Sequence, residues 1–334
     1  MNKKFINFMN AYRGQKLAVA VSGGVDSVCL LVWLAKIGAD IVALHVNHGL
    51  RPAGDTETQY VQKLCQEMGI PCHTFYWRGP KPTRGLESAA RDARYKFMTD
   101  FCHKNNIDAL MVAHQSDDQI ETFLMNLGRG SGVYGLAAMR AISFRDGVKI
   151  VRPLLGVSRA ELRQYCDDNS IRYFFDEMND DTHYTRVRIR KNRHVLAEEL
   201  GISDARILLA IENLGRVRDF MDGEIERMAC SVMCRDRRGT FAMFSDSFLF
   251  DPGDDIRLKL LGTLIVRIGG DTYPPRLASL KRGAEQLRGD VKFTLGHCTV
   301  RRLGSRIIIV REGELTSFRK KYERHEKKEK SVQA

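Results

Sequence analysis

The apolar run Lys16–Val21 (KLAVAV) passes straight into Ser22-Gly23-Gly24-Val25-Asp26-Ser27 and then into an apolar segment reaching about Lys36. Strand, glycine turn and helix in that order confine the chain to folds in which a buried strand delivers a tight turn to a sheet edge. Glycines at the end of a strand let the backbone turn sharply and aim N–H groups at an anion. The N-terminus of the next helix adds partial positive charge, and Ser22 and Ser27 add hydroxyl donors. A plain turn with a helix cap is the rival reading, and Gly-Gly alone would leave it the stronger one. The loop lacks G-K-[ST] and is not G-x-G-x-x-G, so neither common glycine-rich phosphate motif applies. Asp26 would repel a phosphate unless a cation stood between them. It is therefore the expected Mg²⁺ ligand of a phosphate site formed by Ser22 to Ser27.

Residues 16–175 continue this alternation. Strands are predicted at 40–46, 72–77, 108–113 and 148–151, and helices at 56–68, 86–105, 117–127 and 158–169. Apolar strands alternating with helices predict an α/β fold, a parallel sheet with helices on both faces. The pattern changes near residue 180. Residues 179–194 are polar and arginine-rich, as in a linker or basic loop, and helical stretches follow at 204–228 and 255–268, the latter with one apolar stripe. A hairpin is expected over 293–300 and 306–310. The expected organisation is an α/β domain over 1–195, a smaller, mainly helical domain over 200–315, and a basic tail over 316–334.

Charge narrows the partners. The net charge is +12, and seven Lys/Arg against three Glu in residues 315–334 carry +4 of it, so a basic bias remains in the rest. A polyanion such as nucleic acid is the first expectation. No apolar run reaches the ~20 residues that span a bilayer, and no apolar stretch follows the N-terminal lysines. A cytoplasmic protein with no membrane partner is expected. The eight cysteines form no CxxC pair. Cys230 and Cys234, four apart in an apolar helical stretch, read as small core residues.

SGGVDS after the first strand resembles the signature of the N-type ATP pyrophosphatases. That superfamily implies an adenine nucleotide alpha hydrolase-like fold and cleavage of ATP to AMP and pyrophosphate while a substrate oxygen is adenylated. Further segments are similar, in order and spacing, to the tRNA(Ile)-lysidine synthetase family: His45-Val46-Asn47-His48-Gly49-Leu50-Arg51, Glu87 to Tyr95 (ESAARDARY), Ala113 to Thr122 (AHQSDDQIET), Arg129-Gly130-Ser131-Gly132, Arg152-Pro153-Leu154-Leu155 and Arg186-Val187-Arg188-Ile189-Arg190. Together they cover about residues 16–193. Two positions depart from the family pattern: Asn47 stands where a histidine is usual, and Val187 where the arginine cluster usually has a polar residue.

The resemblance implies ligation of L-lysine to C2 of the wobble cytidine (position 34) of CAU-anticodon isoleucine tRNA, through an adenylated cytidine, which shifts decoding from AUG to AUA. The chemistry is coherent. An amide-like oxygen leaves poorly until it carries AMP, and the lysine amine has to attack uncharged, so positioning and charge neutralisation should dominate. Asp118 and Glu121, three apart at a helix start, share a face at the carboxyl edge of the fourth strand and suit an amino-group ligand. The resemblance gives them lysine; a helix-dipole role is the rival and suits Asp117.

His45, His48, Arg51 and Arg94 are expected to contact the nucleotide or target base, with structural roles as rivals for His45 and His114. Arg91 and Arg94 could instead pair with Asp92 or Glu87. Arg186, Arg188 and Arg190 alternate, so an extended segment would present all three to tRNA phosphate. Beyond residue 200 only basic side chains such as Arg276, Lys281 and Arg282 suggest RNA backbone contacts. Two other readings stay open: a tRNA thiolase of the same superfamily, against which the lack of CxxC counts, and a non-catalytic RNA-binding protein. The oligomeric state is open, with a homodimer as one option.

Overall fold

The computed structural model describes residues 1–50, 53–79, 81–82, 85–174, 185–236, 239–251, 253–271, 273–289 and 291–313. Arg51 and the tail 316–334 lie outside the described residues. The chain divides into two compact units, Met1–Arg216 and Val217–Ala334.

In the first unit, α1 (Lys3–Met9) and a 3₁₀ turn lead into β1 (Lys16–Ala20), α2 (Val25–Lys36), β2 (Asp40–Asn47), α3 (Ala53–Glu67), β3 (Cys72–Tyr76), α4 (Leu86–Lys104) and β4 (Ala109–Met111). There follow α5 (Ser116–Leu127), the short α6 (Val133–Leu136), β5 (Ile142–Arg145), β6 (Val148–Val151), α7 (Arg159–Asp168), α8 (Thr185–Glu198) and α9 (Asp204–Val232), which runs across the division. The sheet order is β3-β2-β1-β4-β6-β5; every pairing is parallel except the edge hairpin β5–β6.

Burial on both faces explains the near-continuous apolar strands. In β1, Leu17 and Val19 join a cluster with Trp33 of α2, Leu162 of α7 and Phe5 of α1, whereas Ala18 joins Tyr95, Met98 and Cys102 of α4 on the opposite face. The chain leaves β1 for β2 on one side and later returns to β4 on the other. This reversal opens a crevice at the carboxyl ends of β1 and β4, where open α/β sheets bind ligands.

Two helix starts at this edge are fixed by reciprocal capping. Gln115 and Asp118 form the box of α5, and Ser158 and Glu161 that of α7. The arginine-rich stretch is helical from Thr185, which overturns the expected extended segment. Arg186 and Arg190 then share a face, Arg188 lies about 200° round from Arg186, and Val187 is buried.

The second unit contains β7 (Met233–Asp236), β8 (Gly239–Ser245), α10 (Asp246–Phe250), α11 (Asp254–Gly269), α12 (Leu277–Arg288), β9 (Phe293–Leu295), β10 (Cys298–Leu303) and β11 (Arg306–Arg311). Helices were expected to dominate here, but an antiparallel sheet of order β7-β8-β11-β10-β9 forms its centre; the expected hairpin is β10–β11. Leu261, Leu264, Ile265 and Ile268 of α11 share a cluster with Ala242, Phe244, Val300 and Ile309 of the sheet. Cys230 and Cys234 are exposed, one on α9 and one on β7, rather than in a core. Cys29, Cys65, Cys102, Cys166 and Cys298 are buried free thiols. No described helix is long and apolar enough to cross a membrane.

Candidate active site

The crevice holds a cavity of about 590 Å³ lined by Ser22, Gly24, Val25, Asp26 and Ser27 of the loop, His45 near the end of β2 and His48 after it, Arg94 and Tyr95 of α4, His114 after β4, Arg159 and Arg163 of α7, Tyr173, Phe174 and Arg190. The loop is held in shape by its own groups. Ser27 Oγ donates to the Gly24 carbonyl (2.9 Å) and accepts from the Ser22 N–H (3.1 Å), while the two serine hydroxyls lie 3.1 Å apart. Gly23 sits at φ +93°, a region that favours glycine. Its carbonyl accepts from the Phe174 N–H at 2.9 Å, and Gly24 and Phe174 form an isolated parallel bridge. Residues 173–174 therefore flank the loop, a contact no motif announced.

Asp26, in the first turn of α2, faces this cavity. Burial lifts its carboxyl to about 6; Arg159 opposes the rise, and Asp118 and Asp117 add to it. Oδ2 lies 3.7 Å from Arg159 Nε, and Oδ1 is buried without a hydrogen-bond partner. An orphaned carboxylate oxygen beside a phosphate loop is a fitting ligand for a hard cation shared with polyphosphate. Among the described residues no three His, Cys, Asp or Glu side chains are placed to hold a metal. A cation here would rely on Asp26 and substrate oxygens, as Mg²⁺ commonly does.

The acid pair is already engaged. Glu121, fully buried, accepts from Arg190 Nε at 2.8 Å, and its other oxygen has no partner. Asp118 accepts the Gln115 N–H (3.0 Å) and lies 3.8 Å from Arg186 Nη1. Burial raises both carboxyls above the usual range, and Arg190 and Arg186 pull against it. Neither acid lines the cavity, whereas Arg190 does. Arg188 is exposed and bonds the Thr185 hydroxyl at 3.2 Å.

Asp117 has a wider role than a helix dipole requires. It accepts the Arg159 N–H at 2.9 Å and pairs with Arg193, tying the starts of α5 and α7 to α8. Sequence reasoning passed over Arg159 and Arg193. Arg159 had a signal, being the first residue after the Ser158 cap on a helix entering this edge.

His45 spends both ring nitrogens on the fold, at 2.8 Å from the Val21 carbonyl and 3.1 Å from Thr58 Oγ1. His48 is pushed down to about 4 and His114 to about 3, each first by burial and then by nearby arginines. Both are neutral imidazoles at neutral pH. Arg94, Arg91 and Arg145 lie 5.7, 5.2 and 4.3 Å from the Tyr95 ring centre, so one aromatic side chain gathers three guanidiniums. The result is a cavity lined by a half-partnered carboxylate, a glycine turn at a helix N-terminus and several arginines.

A PP-loop domain profile matches residues 1–198. The chain is 35% identical to a tRNA(Ile)-lysidine synthase of Ruegeria pomeroyi, covering 89% of this chain and 71% of that protein. It is 34% identical to the tRNA(Ile)-lysidine synthase of Wolbachia pipientis wMel (92% and 74% covered) and 34% identical to that of a Bradyrhizobium species (85% and 86%). Among solved structures, the U34-tRNA thiolase of Methanococcus maripaludis superposes with a TM-score of 0.54 at 19% identity, covering 64% of this chain and 79% of that one, a likeness of fold alone.

Proposed function

This chain belongs to the PP-loop family and, within it, to the tRNA(Ile)-lysidine synthases, and we propose that it is an AMP-forming ligase. It joins L-lysine to C2 of the wobble cytidine of a CAU-anticodon isoleucine tRNA. The observation that carries this reading is that Asp26, one of whose oxygens has no hydrogen-bond partner, lines the same cavity as Ser22 and Gly24 to Ser27. The loop N–H groups and the α2 N-terminus hold the polyphosphate of ATP. Asp26 would hold Mg²⁺ together with the phosphates, and the ion would supply charge neutralisation there. Arg159 keeps the Asp26 carboxylate ionised and oriented.

Asp118 and Glu121 bind lysine. The attacking ε-amine has to be neutral, so the acids suit the α-ammonium instead. That ammonium competes with Arg190 for Glu121, and the released guanidinium can take the α-carboxylate with bidentate geometry. His45 is a wall of this cavity with its nitrogens already used; His48 and Arg94 remain available to nucleotide or base. Arg186 and Arg188 provide cations for tRNA phosphate.

The test is incubation with unmodified CAU-anticodon isoleucine tRNA, ATP and labelled lysine. The expected result is label retained in RNA and lost in Asp26→Asn. Pyrophosphate exchange without lysine transfer would overturn the reading. Sulfur incorporation would favour a thiolase, although the described lining of the cavity includes no cysteine.

A further inference from the structure

The chain has two tryptophans, in opposite settings. Trp33 is 2% exposed and sits in the core of the first unit. Trp77, directly after β3, is half-buried and belongs to none of the hydrophobic clusters. It is nonetheless firmly held. Its backbone N–H donates to the Asn47 carbonyl at 2.9 Å, and its ring meets the His48 ring edge-on, with centroids 6.0 Å apart at 89°. Lys81 Nζ lies 5.5 Å from the indole centre and donates to the carbonyls of His48 (2.5 Å) and Gly49 (2.7 Å). A lysine that braces both an indole and the segment carrying a cavity-lining histidine fixes the indole next to that cavity.

A rigid, partly exposed aromatic ring beside an ammonium group suits a nucleobase. The base stacks on the π-surface, and the cation faces the phosphate that follows it. Single-stranded RNA is recognised in this way, with splayed bases laid on aromatic side chains. We propose that Trp77 is the stacking platform for a base adjacent to the target cytidine, and that Lys81 locks the platform to His48. This rests on the reading that an RNA base enters the cavity past His48. The adenine of ATP is the rival occupant, and the KM for ATP in the same variants separates the two.

The test pairs Trp77→Leu with Trp77→Phe. Trp77→Leu is expected to raise the KM for tRNA about tenfold with little change in kcat, and Trp77→Phe to recover most of that loss. The KM for ATP reports on the integrity of the fold. In parallel, tRNA carrying 2-aminopurine on either side of the target cytidine is titrated with protein, with quenching expected for the wild type and lost in Trp77→Leu. An unchanged KM for tRNA in Trp77→Leu, or an equal rise in the KM for ATP, overturns the proposal. Should the wild type fail to transfer lysine, the lysidine reading falls, and the quenching measurement decides the platform independently.

Discussion

Around the end of β2 and the start of α5, the first unit buries His45, Asn47, Gln115, Ser116, Asp117, Gln119 and Glu121, whereas the core of the second is a cluster of leucines, isoleucines, valines and phenylalanines between α11 and a sheet. Among its described residues, the buried polar groups of the second unit are Arg218, Arg257 and Thr299, and the other basic side chains are mostly outside. Desolvating a carboxylate or an imidazole costs free energy that a leucine would not. The first unit accepts that cost where groups must be held ready for substrate. The second spends its interior on cohesion, so the two should respond to mutation in different currencies, activity in one and stability in the other.

The largest effect is expected from Asp26→Asn. Turnover should fall on the order of a thousandfold, because the carboxylate that lines the loop cavity beside Ser22 and Ser27 is lost. The melting temperature should hold or rise, since a desolvated acid is removed. A drop in melting temperature would break the contrast. The converse is Leu261→Ala in α11, a fully buried side chain. Denaturant unfolding should show a loss of about 2–5 kcal/mol, with the dissociation constant for ATP unchanged; weakened ATP binding would show that the second unit is not mere scaffold for the nucleotide site.

Glu121→Gln comes next. It keeps the shape but removes the charge that Arg190 faces, and the KM for lysine should rise roughly 10- to 30-fold, as for loss of a charged hydrogen bond of about 1.5–2 kcal/mol. An unaltered KM for lysine would remove Glu121 from the lysine site.

The smallest effect concerns pH. His114 stays neutral in the fold down to about 3, while in the unfolded chain it takes up a proton below about 6.5. The unfolded state therefore binds more protons between these values, and stability is lost as pH falls through 6.5. The raised carboxyls of Asp26, Asp118 and Glu121 act in the opposite direction and are common to both proteins. His114→Asn should reduce the stability lost between pH 7.5 and 5.5 by about 1 kcal/mol. Parallel pH–melting curves for the two proteins would contradict this.

The parallel sheet and the phosphate loop were legible because each leaves a local trace: apolar strands buried on both faces, and glycines at a strand end. The segment Arg186–Arg190 misled because R-V-R-I-R satisfies a period of two. What decides its helix is tertiary, in the pairing of Arg190 with Glu121 and Arg193 with Asp117 and in the burial of Val187. No local pattern encodes those partners. Strand β8 escaped notice for a related reason. Ala242 and Phe244 serve one cluster and Phe241 and Met243 another, so the strand shows no alternation to read. Of the expected site residues, the loop, His45, His48, Arg94 and Arg190 line one cavity, while Asp118 and Glu121 are linked to α8 through Arg186 and Arg190. Arg51 falls outside the described residues.

Asn47 departs from the histidine usual in its motif, and its surroundings show what that departure entails. Its amide donates to Asp55 at 2.8 Å and to Thr58 at 3.2 Å and accepts the Gly49 N–H at 2.8 Å, so it is held from three sides. A Cβ on Gly54 would stand 2.9 Å from the Asn47 Oδ1, an atom those bonds hold in place. The two positions are thus a single heritable unit. With Asn47 held in this way, a larger residue at 54 requires its side chain to shift and strain those bonds, and a return to the usual side chain at 47 has to be accommodated against Gly54, Asp55 and Thr58 together. In a library randomised at both sites, survivors should fall into linked pairs, with asparagine at 47 found mainly beside glycine at 54.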